Sequence, residues 1–134
     1  MFEYEYEYTF YLSNDEIEKS DLNYNDAFDI DVVDVKPSYP EGENESFLVG
    51  ILQNVKRIDP TIVDYIIKNN EIVVKFIVEP DGNVSNLKVF TEDGFVIDEE
   101  FTRAISSLPK WKPGWVGQEK VRVVVTLSLE IHIN

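Results

Sequence analysis

Read as a series of apolar and polar positions, the chain opens on an alternation. Phe2, Tyr4, Tyr6, Tyr8, Phe10 and Leu12 fall on one side, and Glu3, Glu5, Glu7, Thr9 and Tyr11 on the other. A period of two with many aromatic residues predicts a β-strand over 2–12, its glutamates facing water and discouraging pairing with other chains. Ser13 to Ala27 is polar and acidic, with Asn14, Asn23 and Asn25 as turn formers. Asp15, Glu16 and Glu18 there suit the start of a short helix. Phe28 to Val35 predicts a second strand. From Glu43 to Val55 the period becomes helical: Phe47, Leu48, Ile51, Leu52 and Val55 share one face. Asp59-Pro60 then starts another short helix, Asp as the cap and proline at the first helical position. Ile62, Val63, Ile66 and Ile67 form its apolar face, and Asn69-Asn70 ends it.

The second half returns to strands. Glu71 to Glu79 alternates, with Ile72, Val74, Phe76 and Val78 on one face; Pro80-Asp81-Gly82-Asn83 is a hairpin turn, and Val84 to Phe90 is the returning strand. Asp98 to Leu108 is an amphipathic helix, with Asp98 as its cap and Phe101, Ala104, Ile105 and Leu108 as its core stripe. Pro109 ends this helix, because the residue before a proline is pushed out of the α region. Pro109, Lys110, Trp111, Lys112, Pro113 and Gly114 then make a stiff turn. Trp111 pins that turn onto the core, with the lysines on either side reaching for water.

The longest alternation comes last. Val121, Val123, Val125, Leu127, Leu129, Ile131 and Ile133 take one face of a strand over Lys120–Ile133, and Lys120, Arg122, Val124, Thr126, Ser128, Glu130 and His132 take the other. At about 3.3 Å per residue such a strand extends on the order of 45 Å, longer than the hairpin can cover. Its edge is therefore partly open or paired with something else: the 2–12 strand, a second copy, or a partner peptide. The elements add up to an α+β fold. A three-stranded antiparallel sheet (71–79, 84–90, 120–133) carries two helices on one face, with an extra N-terminal strand that extends the sheet or crosses to a second copy.

Composition narrows the function more than the fold. The 134 residues suit one domain, and 43% of them are hydrophobic, enough for a core. Net charge is −14, and residues 1–45 hold 14 of the 26 acids but only 2 of the 12 bases. Nucleic acid and anionic membrane surfaces are poor partners for such a chain, since both require clustered Lys and Arg. There is no cysteine, so disulfides, thiolate nucleophiles and Cys-based metal sites are excluded. No apolar run is long enough to span a membrane, and the acidic start lacks the basic-then-apolar order of a secretory leader.

No catalytic constellation stands out. His132 is the single histidine, on the polar side of the last strand. The serines lie outside any nucleophile-elbow context, and the glycines are too dispersed for a phosphate loop. Asp29, Asp31 and Asp34 lack the glycine and distal glutamate of a calcium loop. Asp81 belongs to its turn. These readings point to a binding module that is not an enzyme and uses no cofactor or metal. A strand with a free edge offers unpaired N–H and C=O groups to which an extended peptide can add.

Several stretches resemble one family. Pro109-Lys110-Trp111-Lys112-Pro113-Gly114, followed by Lys120-Val121-Arg122-Val123, is similar to a signature of TonB C-terminal domains, particularly those of Bacteroidetes-type energy transducers. Val74 to Val84 resembles the family's hairpin, Asp98 to Ala104 its helix, and Lys36-Pro37-Ser38-Tyr39-Pro40-Glu41-Gly42 the segment that leads into it. The chain departs from the pattern at Glu41, where the family has the first of two glycines, and at Asp59-Pro60-Thr61-Ile62-Val63. The resemblance implies a TonB C-terminal-like domain over 35–134, preceded by an acidic extension over 1–34. It further implies that the last strand takes up an extended peptide of an outer-membrane transporter, in envelope energy transduction in the periplasm. The partner-binding residues would then be Val121, Arg122, Val123, Val124, Val125, Thr126, Leu127, Ser128 and Leu129. Pro109, Lys110, Trp111, Lys112, Pro113 and Gly114 would position that strand. TonB proteins normally carry an N-terminal membrane helix and a proline-rich linker. Neither pattern occurs in this sequence, so the expectation is either a piece of a longer protein or a freestanding relative, for which the cytoplasm stays an alternative. The rival reading is an assembly protein: a strand-exchanged homodimer in which the 2–12 strand fills the open edge and leaves no receptor site.

Overall fold

The run Ile72-Val73-Val74-Lys75-Phe76-Ile77-Val78 is buried at every position, as expected for a strand covered on both faces. It forms most of β3 (Glu71–Val78), the strand on which the sheet is built. The computed structural model describes residues 6–12, 27–40, 44–69, 71–91 and 96–133. The short helix predicted to start near Asn14-Asp15 falls in a segment that lies almost wholly outside them, as do the first residues of the N-terminal strand.

The remaining elements follow in order. β1 (Tyr6–Leu12) and the short β2 (Phe28–Asp29) precede α1 (Asn44–Ile58) and α2 (Pro60–Asn69). After β3 come β4 (Val84–Phe90), α3 (Asp98–Ala104), the hairpin β5 (Gly114–Val116) with β6 (Glu119–Val121), and β7 (Val123–Ile133). The main sheet runs β1-β7-β3-β4, with β2 also on β7. β7 is antiparallel to both β3 and β1, while β2 runs parallel to it, so the sheet is mixed. The fold is α+β as predicted, with a third helix, α2, sharing the helical layer: Ile62 and Ile66 join Phe47, Leu48, Ile51, Phe101 and Ala104 in one core with Ile72, Val74, Phe76 and Val78.

Local chemistry explains where elements start and stop. Asp59 caps α2 as expected, its carboxylate accepting from Thr61 N at 3.1 Å. Asp98 does not cap α3. Ile97 holds the cap position, and the Asp98 carboxylate accepts from Val89 N at 2.7 Å instead. The helix predicted to reach Leu108 ends at Ala104 and passes through a 3-10 turn, Ile105–Ser107. Leu108 is extended (φ −89°, ψ 153°), as a residue before proline should be.

Two predicted strands differ. Phe28–Val35 is strand only at Phe28–Asp29, because the Asp29 side chain accepts from Asp31 N at 3.2 Å and starts a 3-10 turn over Ile30–Val32. The single strand over Lys120–Ile133 is two: it breaks at Arg122, and β6 turns away to pair with β5. Gly117, with φ +58°, makes the tight reversal between β5 and β6.

Trp111 holds these pieces together. It is 3% exposed, and its ring centroid lies 5.7 Å from Tyr39, 5.1 Å from Phe47 and 5.4 Å from Phe76. Contacts in this range contribute about 0.5–1.5 kcal/mol each beyond burial. Lys110 and Lys112 stay exposed on either side. The Trp111 backbone N–H donates to Gly82 O at 3.0 Å, clamping the turn onto the β3–β4 hairpin. Gly82 has φ +88°, and a Cβ there would sit 2.3 Å from Trp111 O. Gly82→Ala should therefore cost about 2 kcal/mol or more, from backbone strain together with the forced separation of turn and hairpin. Urea unfolding of the two proteins measures this directly.

Candidate functional site

A sheet offers partners its two edges, and here they differ. β4 forms one of them. The β3–β4 register shifts between Lys75 and Ile77, and Asn86 opposite that irregularity has φ +51°. A bulge of this kind bends an edge strand and disrupts its ladder. Further along β4, Asp98 of α3 takes the Val89 N–H, and its other oxygen pairs with Lys88 Nζ at 3.2 Å. The β4 edge is thus interrupted by a bulge and plugged by a carboxylate.

The other edge belongs to β7. On its inner side, residues Val123 to Glu130 pair with Val78 back to Glu71. On its outer side, Phe28 and Asp29 pair with Val123 and Val124. Leu127 to Ile133 pair with Leu12 back to Tyr6. Most of the proposed partner-binding residues on β7 are therefore paired on both sides. Val121 belongs to β6 and faces Gly114, and Arg122 bridges β6 and β7. Val123 and Val124 lie between β3 and β2, and Leu127, Ser128 and Leu129 between β3 and β1. Val125 and Thr126 pair with Phe76 and Lys75 and fall between the two outer strands.

Residues 28–38 are fastened far more firmly than their strand content suggests. Phe28 N donates to Arg122 O at 2.8 Å, Asp34 N and Val35 N to Trp115 O, and Trp115 N to Val35 O. Ser38 and Lys112 exchange backbone hydrogen bonds, and Gly117 N donates to the Asp34 carboxylate at 2.6 Å. Gly114 allows this approach, since a Cβ on it would lie 2.7 Å from a Val123 methyl and 3.0 Å from Val35 O. Asp29 and Asp34, set aside above as a calcium loop, each accept a backbone N–H, Asp29 from nearby Asp31 and Asp34 from distant Gly117. Of the nominated turn residues, Trp111 and Gly114 are buried, and Lys112 takes part through its backbone.

The start of β7 is fixed electrostatically. Arg122 holds Glu79 in a two-pronged pair, Nε to Oε1 at 2.8 Å and a terminal nitrogen to Oε2 at 3.0 Å, and Ser85 Oγ donates to the same carboxylate. The Arg122 hydrogen bond, reinforced by Ser85, lowers the Glu79 pKa below its ordinary 4.5 against an opposing cost of burial. Sequence reading missed Glu79 and Asp98 in these roles because each acts on a residue far away in sequence. An open pocket of about 290 Å³ lies elsewhere, between the C-terminal ends of α1 and α3, lined by Asn54, Arg57, Ile58, Arg103, Ala104 and Ser107. Its arginines suit the negative ends of those helices.

The family described as Gram-negative bacterial TonB protein C-terminal matches residues 68–132, from the end of α2 to the penultimate residue of β7. Over those residues the chain is similar to the TonB C-terminal family. The match covers just under half of the chain and leaves out β1, β2 and α1. TonB C-terminal domains are in general not enzymes, and they generally engage outer-membrane proteins. Neither a curated protein nor a solved structure matches the chain. Among the described residues, no helix is long and apolar enough to cross a membrane, and no group of His, Cys, Asp and Glu could hold a metal ion.

The Glu79 pair gives a pH-dependent expectation. A carboxylate whose folded pKa is depressed adds stability that is full above the unfolded value and is lost as pH falls through the folded one. Glu79→Gln should lower stability by about 1 kcal/mol at neutral pH. Denaturant midpoints of the two proteins should converge as pH drops below 4.5.

Proposed function

We propose that this TonB C-terminal domain is a non-enzymatic peptide-binding module that accepts an extended segment of an outer-membrane transporter as an added strand on β7, as part of envelope energy transduction in the periplasm. The observation that carries the reading is the family match, which spans β3, β4, α3 and β7 as one unit. The contrast between edges supports it: the β4 side is bulged and plugged by Asp98, so the β7 side is the one suited to strand addition. Main-chain hydrogen bonds would give affinity, and alternate side chains selectivity. The nominated segment Val121–Leu129 remains the proposed docking region, with Trp111 and its flanking turn holding it in place.

A second reading draws on the β1–β7 register. The same seven pairs could form between two copies, giving a strand-exchanged homodimer.

The binding reading is tested by titrating the full chain with a synthetic peptide from the periplasm-facing N-terminal segment of an outer-membrane transporter. A version N-methylated at alternate residues serves as the control. Strand addition predicts amide shifts centred on β7, and a loss of about tenfold or more in affinity on N-methylation, which removes ladder hydrogen bonds worth about 1 kcal/mol each. Equal binding by both peptides, or shifts confined to other elements, would overturn it.

A further inference from the structure

Both strands on the outer side of β7 come from this chain, but they are held very differently. β2 begins the segment 28–38, which is stitched to Arg122, Trp115, Lys112 and Gly117. Among the described residues, β1 is the terminal strand of the sheet and pairs with β7 alone. Its pairing is regular: Tyr6, Tyr8, Phe10 and Leu12 stand opposite Ile133, Ile131, Leu129 and Leu127, while Glu7, Thr9 and Tyr11 stand opposite His132, Glu130 and Ser128. Aromatic or aliphatic types meet aliphatic ones in the first set, and two of the three pairs in the second join polar types, Tyr11 opposite Ser128 being the third. Past Glu130, β7 runs beyond the start of β3, so among the described residues Ile131 to Ile133 pair with β1 only.

From this we infer that β1 is a resident ligand, and that the exchangeable docking surface of the domain is the edge Leu127–Ile133. The segment held by β2 at Val123–Val124 stays closed. An incoming partner takes the place of β1 in its register: an antiparallel extended strand of seven residues that alternates aromatic or aliphatic with polar residues. This rests on the strand-addition reading above and narrows it. It moves the footprint toward the C-terminus of the nominated segment and makes every binding event a competition with a tethered strand. A tethered competitor acts at an effective concentration on the order of millimolar. If β1 is released in about one molecule in a hundred, an external peptide binds about a hundredfold more weakly than its intrinsic affinity. Weak partners are thereby excluded, and the Leu127–Ile133 edge stays paired in nearly all free molecules.

The test uses the full chain and two variants. Tyr8→Cys with Ile131→Cys places a cysteine pair at directly opposed positions; the chain has no cysteine of its own to compete, and the oxidised product that runs as a monomer without reductant is the lock. Tyr8→Pro with Thr9→Pro releases β1, because neighbouring N–H groups point to opposite sides and one of the two must face β7. The probe is a synthetic peptide of residues 4–12 of this chain. The released variant should bind the probe at least about tenfold more tightly than the unmodified chain. The oxidised lock should bind it at least about tenfold more weakly, with recovery on reduction. Amide protection in β3 and β4 should survive release.

Unchanged affinity in the lock, or loss of β3 and β4 protection on release, overturns the inference. So does a dimer by light scattering that becomes monomeric in the released variant. The transporter-peptide reading fails separately. If the residue 4–12 probe behaves as stated but no transporter peptide binds the released variant, the resident-ligand inference stands and that reading falls. If transporter peptides bind the locked and unmodified chains alike, the reverse holds.

Discussion

The structure depends on the burial of one side chain, Trp111. Its ring closes an aromatic cluster drawn from the segment before α1 (Tyr39), from α1 (Phe47) and from β3 (Phe76). Its backbone N–H is fixed to Gly82 in the β3–β4 hairpin. Helical layer, sheet and connecting turn therefore meet at one residue. A turn anchored there delivers the chain to Gly114, where the absence of a side chain lets residues 35–37 and Val123 come together. That in turn sets where β7 begins. The Arg122–Glu79 pair completes the placement by joining the approach to β7 to the end of β3.

With β7 so placed, the constraint that backbone N–H and C=O groups must find partners governs the rest of the sheet. β3 satisfies one side of β7. On the other, the chain supplies two strands from its own N-terminal part, one firmly stitched and one paired, among the described residues, to β7 alone. At the far edge, a bulge at Asn86 and the Asp98 carboxylate interrupt the β4 ladder. The molecule thus blocks one edge locally and covers the other with a strand, two different answers to the hazard of an open sheet. This asymmetry is what the proposed addition of a peptide strand on the β7 side rests on.

Much of this was legible in the sequence because it rests on local rules. The Asp59-Pro60 helix start, the Asp81-Gly82 turn and the proline that keeps α3 from continuing are each decided within a few residues. The family signature at 109–114 rests on Trp111 and Gly114, both buried where the turn meets the core. The sequence misled where a side chain had two legitimate uses. Asp98 is well suited to cap α3 but sits closer to the Val89 N–H, and Asp29 turns the chain that alternation alone would keep extended. The break at Arg122 was hidden because the apolar alternation runs through it unchanged, while β6 finds a better-matched partner in β5 across a tight glycine turn.

By itself, then, the sequence determined the fold class, the extent of most elements, the family of residues 68–132 and the absence of thiol chemistry, since periodicity, turn residues and composition act over short range. Only the tertiary structure decided which edge of the sheet is blocked, which strand lies along β7, and which carboxylates hold the elements in register. Those outcomes depend on pairs such as Glu79 with Arg122 and Tyr6–Leu12 with Leu127–Ile133. Their partners are brought together by the packing of a shared core, and nothing in either local sequence names the other.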